Sequence, residues 1–189
     1  MPSGEKSVYQ GSNPMADVMA KQAIYLAGSY LRRAVKDGND LEAREGMALA
    51  ATLGGLAFSN AGVALVHAME YPVGGAVHVS HGAGNGLLLP FVMDFNRPSR
   101  VAALAEVARL LGEDTAGMTD DAAAVRAIEA VSLLRYDIGV PTRLRDVGVK
   151  EEMLPAFAAK AFAIKRLMRV NPRHPQSEGE ILAIYQAAF

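Results

Sequence analysis

The sequence predicts an all-α protein, a multi-helix bundle of about seven helices around a buried Ala/Gly-rich central helix. Three observations predict it. No stretch shows the sustained period-two alternation of β-branched residues that marks a half-buried strand. Capping residues and Gly or Pro breaks recur at helix-length intervals. The stretch from Met47 to Met69 carries no Asp, Glu, Lys or Arg and is crowded with Ala and Gly, the composition of a helix enclosed by other helices.

Composition narrows the class. A chain of 189 residues suits one compact domain with a sizeable core. Hydrophobic residues make up 51% and charged residues 21%, the balance of a folded globular protein. The net charge of −1 gives no global field toward nucleic acid or an anionic membrane, so neither is an expected partner. Cysteine is absent, which excludes disulfides and thiolate chemistry and fits a cytoplasmic location. The charge-free run is long enough to span a bilayer. It nevertheless holds Thr52, Ser59, Asn60 and His67, its flanks have no aromatic belt or positive bias, and it reads as a buried helix.

The elements follow in order. Residues 1–11 are polar and read as an irregular tail. Ser12-Asn13-Pro14 starts a helix over about Met15 to Val35, with Gly38 available as a left-handed cap. Asn39-x-x-Glu42 has the form of a capping box opening the central helix, about Asp40 to Met69, with Gly54-Gly55 as its bend and Tyr71-Pro72 as its end. Val73 to Ser80 is a loop, and a helix from Ser80 or His81 runs to about Phe95, kinked at Pro90. Helices follow over Val101 to Leu111 and from Thr119 to about Ile138. After a connector from Gly139 to Lys150, a helix runs from Glu151 or Pro155 to Met168. Ser177-x-x-Glu180 caps the last one.

His67 and His81 are expected on a helix end and the next helix start, where a reversal of about ten loop residues could bring two imidazoles together; His78 is a further candidate. Imidazole is the commonest side-chain ligand for iron and zinc. Two readings stand on spacing alone: a metal half-site, or hydrogen-bonded core histidines. Gly82-x-Gly84-Asn85-Gly86 follows no strand and lacks the spacing of a phosphate loop, so close helix packing accounts for it.

The words around these residues are more specific. Val66-His67-Ala68, the Pro72 to Gly75 segment, His81-Gly82-Ala83-Gly84-Asn85-Gly86-Leu87-Leu88-Leu89-Pro90 and Phe95-Asn96 resemble the C-terminal domain of the iron-containing (group III) alcohol dehydrogenases. So do Gly139 to Leu144, Val170 to Arg173 and the Ser12 to Asp17 start. The resemblance covers about residue 12 to the end. It implies the dehydroquinate synthase-like α domain, in an enzyme whose separate Rossmann-like domain binds NAD(P). It further implies iron(II), or zinc, held by one Asp and three His, polarising the alcohol or carbonyl oxygen during hydride transfer. His67 and His81 match the last two ligand positions. Tyr71 stands where many members carry a non-ligand His near the substrate, which makes it a substrate-pocket candidate.

The chain also departs from that pattern. The other Asp and His lie four apart ahead of the Asn-Pro start, and counting back from Asn13 places that His near Pro2, Ser3 and Gly4. No His precedes His67, and no glycine-rich cofactor loop is present. Residues 12–189 are thus expected to be a helical metal-binding domain with no cofactor-binding residues of its own. Two functional expectations follow. Either the chain works with a complementing nucleotide-binding chain, or it is a truncated, non-catalytic helical remnant that self-associates as a homo-oligomer or binds a partner.

Overall fold

The computed structural model describes residues 11–189; the expected tail, Gly11 apart, and the positions Pro2 to Gly4 lie outside them. The described residues are all-α, with nine helices and no strand. Two of the seven expected helices are each divided in two, which accounts for the difference. No single described helix is long and apolar enough to cross a membrane.

The chain divides into two compact units, one ending at Gly62 and resuming over Arg100–Ile138, the other made of Val63–Ser99 and Gly139–Phe189. The first holds α1 (Pro14–Lys36), α2 (Leu41–Ala61), α5 (Val101–Leu110) and α6 (Asp120–Asp137). Asn13 caps α1 through Oδ1, which accepts from Ala16 N at 3.0 Å, and Thr119 caps α6 in the same way. The cap of α2 is Asp40, not Asn39, and its carboxylate also receives Arg33 at 2.9 Å. Gly38 is not left-handed; Asp37 ends α1 with extended backbone, and its side chain accepts from Asn39 N.

The expected central helix is not one enclosed rod. It runs through Gly54-Gly55 and breaks at Gly62, whose φ of 89° only glycine adopts readily. Before the break, α2 buries one row of small residues, Ala43, Ala50 and Ala57, and leaves Leu49, Leu56 and Phe58 exposed. α1 packs along α2, and α5 along α6, where Ala105, Ala108, Ala123, Ala124 and Ala127 are almost fully buried. Small residues at these contacts let backbones approach closely, as where Gly28 of α1 faces the backbone of Leu111.

The second unit holds α3 (Leu65–Val77), α4 (His81–Asn96), α7 (Leu154–Ala163), α8 (Lys165–Val170) and α9 (Glu178–Ala188). Its enclosed helix is α3, where Leu65, Ala68, Met69 and Val73 are fully buried. They pack with Leu87, Leu88, Phe157, Ile181 and Tyr185 into one core, each large side chain contributing about 1.5–3 kcal/mol of burial. Pro72 does not end α3. Having no N–H, it cannot return a bond to Ala68, but the helix continues to Val77 because Pro72 and Val73 are locked in the core. The buried Tyr185 hydroxyl donates to Met69 O at 2.5 Å in the same turn. The helix expected to end at Met168 is interrupted at Ile164, whose ψ of 69° leaves the helical range. Ser177 caps α9, but Glu180 returns its carboxylate to Gln176 N, one residue upstream of the box geometry.

Candidate metal centre

The centre is built where α3 and α4 meet. His67 lies in the first turn of α3 and His81 is the first residue of α4. Between them, α3 stops at His78, whose backbone is left-handed at φ 56° and whose N–H bonds Gly74 O at 2.9 Å. His78 thus serves as an exposed helix cap; the ring neighbours of His81 are His67 and Tyr71.

The His67 and His81 ring centroids are 5.2 Å apart. Tyr71 stacks on His81 at 6.2 Å. His67 is half-buried, and its Nδ1 is enclosed without a hydrogen-bond partner. Burial, and then the charge of His81, push its pKa below the ordinary histidine value, so its ring is neutral at physiological pH. His81 Nδ1 stands 2.6 Å from Oε2 of Glu70, while Asn85 Nδ2 lies 3.1 Å from His81 Nε2. Glu70 is 3% exposed. Its negative charge adds to burial in raising the Tyr185 phenol above its usual range.

Sequence reasoning brought His67, His81 and Tyr71 to one place and missed Glu70 and Asn85. A signal was present for Glu70: it is the one Asp, Glu, Lys or Arg between Met47 and Pro90, and a lone charge in an apolar stretch needs a partner.

Other family words meet farther along α4. Asn96 and Asn171 exchange amide hydrogen bonds, and the Arg173 guanidinium lies 4.2 Å from the centroid of the Phe95 ring. Val140 packs against Gly86, where an added Cβ would come within 3.4 Å. A model of the C-terminal part of the Fe-containing alcohol dehydrogenases matches residues 4–189.

The chain belongs to the iron-containing alcohol dehydrogenase family.

Within this family it is 42% identical over 185 residues to the 1,3-propanediol dehydrogenase of Klebsiella pneumoniae, covering 98% of this chain and 47% of that protein. It is 36% identical to the lactaldehyde reductase of Escherichia coli K12, with the same coverage. Among solved structures, a 1,3-propanediol oxidoreductase superposes with a TM-score of 0.92 at 42% identity, over 96% of this chain and 47% of that one. An alcohol dehydrogenase from Oenococcus oeni does so at 0.91 and 37%, again over 96% and 47%. The chain therefore spans about half the length of the relatives it matches.

The donors present fit a metal in two positions. A neutral imidazole with an enclosed, unpartnered nitrogen (His67) faces a second imidazole whose Nδ1 is already engaged. Among the described residues, no group of three or more His, Asp or Glu forms a complete site.

Proposed function

We propose that this chain is the metal-binding half of an NAD(P)-linked alcohol dehydrogenase, interconverting an alcohol and its aldehyde or ketone, with His67 and His81 as two ligands of iron(II) or zinc. The observation that carries it is the 5.2 Å pairing of two imidazoles, one with an enclosed and unpartnered nitrogen. When bound, the metal supplies Lewis acidity toward the alcohol or carbonyl oxygen.

The chain's own residues prepare for that. Burial keeps His67 neutral, so its lone pair is not lost to a proton. Tyr71 stacks on His81 with one face and, with Pro72, Gly75, Ala76, Lys160 and Ile164, lines a cavity of about 340 Å³. We assign Tyr71 to the wall of the substrate pocket on that basis. NAD(P) binding and the remaining ligands are assigned to a nucleotide-binding chain or segment, supported by relatives of about twice this length.

The test is metal content. Untagged protein is incubated anaerobically with Fe²⁺ or Zn²⁺, desalted and analysed for metal beside a His67→Ala/His81→Ala variant. About one metal per chain, lost in the variant, is the expected result. No metal above the variant's background means the pair is structural and the chain a non-catalytic helical scaffold.

A further inference from the structure

We propose that Glu70 is a positioning residue for the metal centre: it holds His81 as the Nδ1–H tautomer and so presents Nε2 to the ion. The inference rests on His81 being a ligand.

Its first support is the chemistry of the carboxylate on Nδ1. An ionised carboxylate only accepts, and an amide NH2 only donates. Glu70 Oε2 lies 2.6 Å from Nδ1, and Asn85 Nδ2 lies 3.1 Å from Nε2. The carboxylate contact selects the tautomer with the proton on Nδ1 and a lone pair on Nε2; Asn85 Nδ2, which also lies 3.3 Å from Nδ1, is nearly equidistant from the two ring nitrogens and selects neither. Asn85 Nδ2 also bonds the His81 carbonyl at 2.9 Å, so it keeps a partner when Nε2 turns to a metal. Histidine ligands are commonly oriented in this way by a carboxylate on the other ring nitrogen.

The second support is the space made for Glu70. The carboxylate is almost fully buried, which is costly unless it serves a partner. Two glycines admit it, one from each helix. A Cβ on Gly74 would lie 2.5 Å from Glu70 Oε1, and a Cβ on Gly84 would lie 2.9 Å from Glu70 Cγ. Gly84, read in the sequence as simple close packing, and Gly74, expected in a loop, thus form the cradle of this one side chain.

The experiment uses the full 189-residue chain. Imidazole ¹⁵N shifts are recorded on metal-free protein with the rings neutral, His81 being assigned with His81→Gln. Wild type is expected to show a protonated Nδ1 and an unprotonated Nε2 at His81. Glu70→Met, which keeps volume and removes the acceptor, is expected to move the proton toward Nε2. It should also weaken zinc binding, measured by chelator competition, by about 10–100-fold. Glu70→Gln, which retains one acceptor oxygen, should fall between the two.

A wild-type His81 protonated on Nε2 overturns the proposal without any variant being needed. So does a Glu70→Met protein with wild-type shifts and zinc affinity. If wild type binds no zinc, the ligand assignment fails, and with it the proposed role toward an ion. A tautomer change in Glu70→Met would then show that Glu70 orients the ring of a structural histidine.

Discussion

Asn96 and Asn171 face each other side chain to side chain: each amide donates to the other's carbonyl oxygen, at 3.2 and 2.7 Å. The pair joins the end of α4 to the segment after α8, and Asn171 is 4% exposed. Asn171 also donates to Arg173 O at 2.6 Å, which sets Arg173 over Phe95. Asn171→Ala removes both donations and leaves Asn96 short of a partner. It is expected to destabilise the fold by about 1–3 kcal/mol, read as a lower urea midpoint with an unchanged slope.

Tyr185 makes a similar long-range tie. Its ring is fully buried against Phe157, with centroids 6.0 Å apart, and its hydroxyl meets Met69 O in the turn that contains Pro72. Tyr185→Phe keeps the ring and deletes only the donor. A loss of about 0.5–1.5 kcal/mol is expected, the net contribution of one intramolecular hydrogen bond. A variant as stable as wild type would show that the hydroxyl bond to Met69 O adds nothing to the burial of the ring.

These two ties mark where sequence reasoning stopped. Helix starts set by a local oxygen were legible: Asn13, Thr119 and Ser177 all cap as expected. His67 and His81 do come together, but not as the spacing suggested: His67 opens α3 instead of ending the central helix, and α3 runs on to Val77 before His81 opens α4. Elements decided by tertiary contacts were not legible. Pro72 is a strong stop signal, yet the helix continues through it with Pro72 and Val73 buried in the core. The break at Gly62 carries a glycine signal, but Gly54-Gly55 carries the same one, and only the backbone separates a left-handed glycine from a helical one. Glu70 stood out as a lone charge, but its role depends on room made by glycines of two helices.

Gly28 gives the corresponding test in the first unit. A Cβ there would lie 3.0 Å from Leu111 Cα and 3.2 Å from Leu111 O, both backbone atoms that cannot rotate away. Gly28→Ala gains helix propensity of about 1 kcal/mol, so an open site would be stabilised. The expected result is a net loss of about 1–3 kcal/mol, because α1 and α5 must separate. A rise in melting temperature would show that the two helices have slack at this crossing.

His67 makes stability depend on pH in a direction that can be worked out. Burial, and then His81, lower its folded pKa below the ordinary value of 6.5. The unfolded chain therefore takes up a proton at a pH where the folded chain does not. The stabilising difference is fully present above pH 6.5 and is lost as pH falls through that value toward the folded pKa. His67→Gln, neutral at every pH, removes this contribution while leaving His81 and the carboxylates in place. Urea midpoints measured between about pH 5 and 8 should fall on acidification in wild type and fall less steeply in the variant. Bound zinc should steepen the wild-type dependence, because protons and the metal compete for the same imidazoles. Parallel curves for wild type and His67→Gln would mean that His67 protonates equally well in both states, and that its enclosed nitrogen reaches solvent.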